Sequence, residues 1–260
     1  MSSYYYVLLS LPPLSFKVQP DLSFAVLKDT LSLNLTANEM KHVSSLFEEI
    51  DLYNMKAFWQ GLPLDERGSL DLHLVEEALL VRVGLPTYLI DYIDKYENVK
   101  ERISHFYEVL AAFYREKEEE ESGFLKEWFS FKRKLRLFLT ALRSKLLGRD
   151  LAKELQFEDP TDPTVAFLLA QKDTTDIFLP PGWESLKILF VENGRDPEEL
   201  NRAILQFQFE KAEEFEEQMG PFSLGQVLAY IAKFLILQTW FAQGDWEKGR
   251  FAVEELMKYG

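Results

Sequence analysis

The stretch "VKERISHFYEVLAAFYREKEEEE", residues 99–121, decides the fold. Val99, Ile103, Phe106, Tyr107, Leu110 and Phe113 recur at steps of three and four. That spacing puts them on one face of a long helix, whereas a half-buried strand would alternate every second residue. The acidic run Glu116–Glu121 closes the stretch and reads as a solvated helix end.

Toward the C-terminus the helical reading continues. Residues 124–147 form a second long helix that carries most of the basic charge: Lys132, Arg133, Lys134, Arg136, Arg143 and Lys145. Its apolar positions Leu135, Phe138, Leu139 and Leu142 must face a core. The basic residues either pair with Glu116–Glu121 or form a docking face for an acidic partner, which makes Arg133, Arg136 and Arg143 partner-contact candidates. "DPTDP" at 159–163 breaks the chain, with Asp162 as N-cap and Pro163 at the first helical position. Residues 179–182 form another break. Capping boxes at Asp196–Glu199 and Ser223–Gln226 predict a helix to about 219, then two last helices over 223–242 and 245–258.

Toward the N-terminus, the capping box Thr36–Glu39 opens a helix to about Gly61. Residues 62–68 turn, a helix follows from about Asp71 to Arg82 with Gly84 as its stop, and Pro86 suits the first turn of the next. Residues 19–34 read as irregular or weakly helical. The opening run Tyr4–Leu11 has eight apolar residues, ended by Pro12 and Pro13. It lacks the basic region of an export signal and the roughly 20 apolar residues of a membrane span. It reads as a short buried segment, extended or one to two helical turns. No stretch shows a repeated strand–turn–strand pattern. The expectation is an all-α, multi-helical single-core protein of roughly ten helices, one domain over 1–260 with possible lobes 1–120 and 121–260.

The bulk composition agrees. Hydrophobic residues make up 47% of the 260 residues and charged residues 28%, which is globular rather than disordered. The 21 phenylalanines promise a ring-rich core. A net charge of −14 argues against nucleic acid, whose affinity comes mainly from Lys and Arg on phosphates, and favours basic partners. Absence of cysteine excludes disulfides, thiol nucleophiles and zinc–thiolate sites.

Motifs of catalysis are missing. The sequence has no phosphate-binding glycine loop, no HExxH and no G-x-S-x-G. The histidines His42, His73 and His105 stand about 30 residues apart; Glu101 and His105 share a helix face and read as a surface contact. No catalytic, cofactor-binding or metal residue is assigned, and no cofactor is expected. "FSLGQVLAYIAKFLILQTWFA", residues 222–242, nearly spans a bilayer in length, but Lys233 at its middle would cost about 2.5–3.5 kcal/mol there. A central core helix is the reading, without direct membrane insertion. Gly148, Gly194 and Gly244 each precede or lie near an aspartate at spacings of 46 and 50, which is either a helical repeat or ordinary helix punctuation.

Two segments carry a resemblance. "YYYVLLSLPPLSF" (Tyr4–Phe16) resembles the start, and "PFSLGQVLAYIAKFLILQTWFAQGDWEKGRFAVEEL" (Pro221–Leu256) the end, of a bacterial uncharacterised family associated with V-type (A/V-type) ATP synthases. That family looks like a shortened form of the C-type (or d-type) coupling component of those synthases. "FKRKLRLFLTALRSKLLGRD" (Phe131–Asp150) is similar to the Leu-Arg stretches that recur in the C-type component. This chain departs from that pattern at Leu9–Ser10 and at Lys134. The resemblance implies a pseudo-threefold funnel of helices. It implies a non-catalytic component that couples the central rotor stalk to the membrane rotor ring in ion or proton transport. Its partners would be the central-stalk subunits and the rotor ring. It would be cytoplasmic, peripheral at the inner face of the membrane. Alternatives are a helical adaptor or assembly factor for the same complex, a general protein-interaction module, or an enzyme whose site assembles only in space.

Overall fold

A computed structural model describes residues 3–259, and the side chains of residues 4–242. Among the described residues there are thirteen helices and no strand. In chain order they are α1 (Ser3–Ser10), α2 (Phe24–Asn34), α3 (Ala37–Gln60), α4 (Leu72–Val81), α5 (Thr87–Lys95), α6 (Val99–Ser104), α7 (Phe106–Glu120), α8 (Gly123–Leu146), α9 (Leu151–Glu154), α10 (Pro163–Leu169), α11 (Glu184–Asn193), α12 (Pro197–Glu217) and α13 (Leu224–Tyr259). The chain divides into two compact units, one made of Met1–Lys41 with Ser185–Gly260 and the other of His42–Glu184. These bounds differ from lobes 1–120 and 121–260, because the two chain ends fold together.

Helix starts follow local chemistry. The Thr36 N–H donates to Glu39 Oε2 at 2.7 Å and the Glu39 N–H returns to Thr36 Oγ1 at 3.4 Å, the reciprocal pair of a capping box. Asp71, Asp150, Asp162 and Asp196 each accept backbone N–H groups as N-caps, and Pro163 and Pro197 sit in the first turn. Arg82 ends α4 in the left-handed region at φ 60°.

Three sequence expectations need correction. The helix read through residues 99–121 is two, α6 and α7, meeting at His105, whose φ of −103° and ψ of 14° leave the helical range. The His105 backbone N–H and ring both meet the Glu101 carbonyl at 2.9 Å, and the ring stacks on Tyr96 at 4.6 Å, so side-chain contacts hold the turn between the two helices. Residues 24–34 form a regular helix, capped by Ser23, where weak order was expected. The helices expected over 223–242 and 245–258 are one, α13; Gly244 does not interrupt it, since a lone glycine costs a helix only about 1 kcal/mol. The three glycines of the possible repeat therefore sit in unlike settings: Gly148 follows α8 at φ +62°, Gly194 follows α11 without a positive φ, and Gly244 lies inside α13.

In the first unit α12 packs along α13, and α1 packs on both α13 and α2. Val227, Ala229, Ile231, Phe234 and Leu237 of α13 are buried, as are Leu27 and Leu31 of α2. The opening stretch is tied into this core. Val7 is buried, Phe16 lies between Phe209 and Trp240 at 4.8 and 4.7 Å, and Tyr230 O–H donates to the Pro12 carbonyl at 2.9 Å. Tyr6 and Leu9 of α1 are exposed, so only part of that stretch is core. Leu224–Ala242 is one helix segment long and apolar enough to cross a membrane. Within this unit Lys233 pairs with Glu216 of α12 and lies over the Phe209 ring.

In the second unit α7 packs along α8, with α5 and α6 on α7 and α9 and α10 on α8. Phe113, Tyr114, Phe124, Phe129, Leu137 and Phe138 are among its fully buried large side chains. An aromatic ladder runs Phe124–Trp128–Phe131–Trp183, and Phe138 meets the edge of Trp183 at 4.7 Å.

Candidate functional site

The basic stripe of α8 is turned mostly inward. Arg133, at 7% exposure, is the hub. Its Nη1 donates to Glu118 Oε2 of α7 at 3.2 Å and to Asp162 Oδ2 at 3.0 Å, and its Nη2 lies 3.7 Å from Glu158 Oε2. Arg136, about one turn further along α8, pairs with the other oxygen of Glu158, and its guanidinium lies over the Tyr114 ring. Asp162 works twice: Oδ1 caps α10 by accepting the Thr164 and Val165 N–H groups, and Oδ2 holds Arg133. The hub thus joins α7, α8, the segment after α9 and the start of α10. The Nε atoms of both Arg133 and Arg136 are buried without a hydrogen-bond partner.

Charge states follow from these contacts. Burial disfavours the Arg133 cation, but Asp162, Glu118 and Glu158 outweigh it and hold its pKa above the usual arginine value. Burial pushes the Asp162 carboxyl up, yet the Val165 N–H and Arg133 bring it below the usual range. The Thr161 N–H and hydroxyl lower Asp159 in the same way.

A cleft of about 250 Å³ opens over this hub, lined by Ala111, Arg115, Glu118, Glu119, Arg133, Glu158, Asp159, Thr161 and Asp162. Five carboxylates face two guanidiniums there, so it favours cationic groups. Its one hydroxyl side chain, Thr161, already donates to Asp159 at 2.7 Å. Among the described residues no group of three or more His, Asp or Glu could hold a metal ion.

The three sequence candidates separate. Arg133 and Arg136 are engaged inside the unit and are not available to a partner, because carboxylates from elsewhere in the fold already meet them. Arg143 is exposed on α8. The acidic run supplies only part of the pairing: Glu118 takes Arg133, while Lys132 reaches Glu49 of α3 at 3.3 Å. Spacing along α8 gives no sign of Glu49, Glu158 or Asp162, which lie 22 or more residues from the cations they meet. Lys117 is buried and pairs with Glu48 at 2.7 Å. His42 lies 3.4 Å from Glu121, and Glu101 meets His105 through its carbonyl rather than its carboxylate.

Fold and site define an all-helical, acidic protein with an internal guanidinium hub. The family model described as "Protein of unknown function (DUF2764)" matches residues 1–259, and the chain belongs to that family. It is similar to an uncharacterized protein of Chlamydia muridarum, 28% identical over 242 residues that cover 91% of each chain. It is also 29% identical to an uncharacterized protein of Chlamydia trachomatis, over 82% of this chain and 83% of that one. A third, from Chlamydia pneumoniae, is 29% identical over 83% of each. No solved structure matches.

Proposed function

We propose that this chain is a non-catalytic component of a V-type ATP synthase, of the C/d type, that couples the central rotor stalk to the membrane rotor ring. The observation that carries the reading is the meeting of the two resembling segments. Tyr4–Phe16 and the start of Pro221–Leu256 pack together in one helical unit, joined by the Tyr230 bond to Pro12 and by Phe16 against Trp240. The all-helical build and the inward-facing charges suit a rigid coupling element. In this reading the protein is cytoplasmic and peripheral at the membrane's inner face, and exposed Arg143 remains the partner-contact candidate. The net charge of −14 favours basic surfaces on its partners.

Affinity purification of the intact ATP synthase from the native membrane, with quantitative mass spectrometry of this chain, tests it. One copy per central stalk is expected. Presence only in partly assembled complexes would assign an assembly factor instead, and complete absence overturns the reading.

A further inference from the structure

Helix α4 leaves four apolar side chains exposed, Leu72, Leu74, Leu80 and Val81. Of its ten residues only Val75 is buried. Leu72 is 59% exposed, Leu80 81% and Val81 56%, and Val83 just beyond the helix is 75% exposed. Leu80, Val81 and Val83 follow one another at the C-terminal end of the helix, so open apolar side chains concentrate there.

The segment that presents α4 is held by buried polar groups. Asp51 Oδ1 on α3 accepts the Ser69 and Leu70 N–H groups at 2.7 and 3.1 Å. The Asn54 amide clasps Asp65 in both directions, donating to its carbonyl at 2.9 Å and accepting its N–H at 2.7 Å. Asn54 is buried, and so is Asp51. Gly68 passes so close that a Cβ there would meet Asn54 Nδ2 and Asp51 Oδ1 at 2.5 Å. These contacts fix the segment that leads into α4, so the helix is presented in one conformation.

The charges around the patch are acidic. Glu66, Asp71, Glu76 and Glu77 are exposed. The neighbouring arginines are already engaged, Arg67 by Asp65 and Arg82 by Asp94, and His73 lies 3.9 Å from Glu77, whose side chain stays 59% exposed. We propose that α4 is a docking surface for a basic amphipathic helix of a partner protein, whose apolar stripe covers Leu80, Val81 and Val83 while its Lys or Arg side chains meet Glu76 and Glu77. A second copy of this chain fits worse. Setting α4 against α4 brings Glu76 and Glu77 of each copy toward like charge. The partner is defined by its chemistry, so this inference stands apart from the coupling role.

The test uses the full chain and a synthetic helix-forming peptide of leucine and lysine, with lysines along one face. A matched peptide carries glutamate in place of lysine. Binding is followed by fluorescence titration. The lysine peptide is expected to bind and to weaken with salt, and the glutamate peptide not to bind. Leu80→Glu combined with Val83→Glu should weaken binding roughly tenfold or more, as loss of central apolar anchors does. Leu33→Glu, at another exposed leucine on α2, should leave it unchanged. Glu76→Lys with Glu77→Lys should weaken binding and flatten its salt dependence. All these positions are exposed, so circular dichroism should show unchanged helix content. No binding, equal binding of both peptides, or binding indifferent to Leu80→Glu/Val83→Glu overturns the proposal. So does a dimer in sedimentation that Leu80→Glu dissolves.

Discussion

Arg133 shows what one residue costs when its partners come from several segments. Removing it as Arg133→Ala leaves Glu158, itself 5% exposed, sharing only Arg136, and strips Asp162 of its second contact. Breaking a buried pair from one side typically costs about 3–5 kcal/mol, and urea denaturation of Arg133→Ala should show a loss of that size. Arg143→Ala, ten residues on and exposed, should stay within about 0.5 kcal/mol. Similar losses for both would mean the hub carries no special share of the stability. Gly68 makes the same point without charge. Gly68→Ala must displace Asn54 or Asp51, two buried groups already holding backbone, and about 1–3 kcal/mol of destabilisation should follow in the same assay. Neither effect is visible in the sequence: Gly68 looks like any turn glycine and Arg133 like any residue of a basic stripe.

At the scale of elements, legibility followed local chemistry. α3, α10 and α12 begin where side-chain caps and prolines said they would, because an N-cap is decided within four residues, and α4 and α8 start within a residue of the positions their apolar spacing gave. The misreadings arose where tertiary contacts decide. His105 splits α6 from α7 through its own backbone and ring contacts, and α2 is stabilised by burying Leu27 and Leu31 although its sequence pattern is loose. The hub was half legible: its guanidiniums and the acidic run that holds Glu118 stood out, but Glu158 and the second contact of Asp162 did not. The α12–α13 pair gives a further prediction. Lys233 is 11% exposed in its side chain and Glu216 24%. Lys233→Met removes the more buried charge and leaves Glu216 able to meet water, so stability should change by less than about 1.5 kcal/mol or rise. Glu216→Ala strands the lysine and should cost clearly more. Thermal melts of the two variants side by side check the order, and a reversed order would mean that the lysine finds water.

Across the whole molecule, the acid–base balance predicts a stability optimum on the acid side of neutrality. Burial, the largest cause in each case, holds Glu48, Asp51 and Glu116 above the usual carboxylate range. The folded chain therefore binds those protons more tightly than the unfolded chain, and the destabilisation they bring at neutral pH eases as pH falls toward their unfolded values near about 4. Relief of self-repulsion in a chain of net charge −14 acts in the same direction. Asp65 and Asp162 run oppositely. Burial raises each, but Arg67 in one case and the Val165 N–H with Arg133 in the other bring both below the usual range. Their contribution is full above the unfolded value and lost as pH drops through the lowered one. Tm should accordingly rise as pH falls from neutrality toward the unfolded carboxylate values near about 4, and fall once pH drops below them. Glu116→Gln should reduce the rise while leaving the acid limb in place, since it removes one raised carboxyl and touches neither lowered one. A Tm that is highest at the alkaline end, or a rise indifferent to Glu116→Gln, would show that the buried carboxylates do not govern the profile.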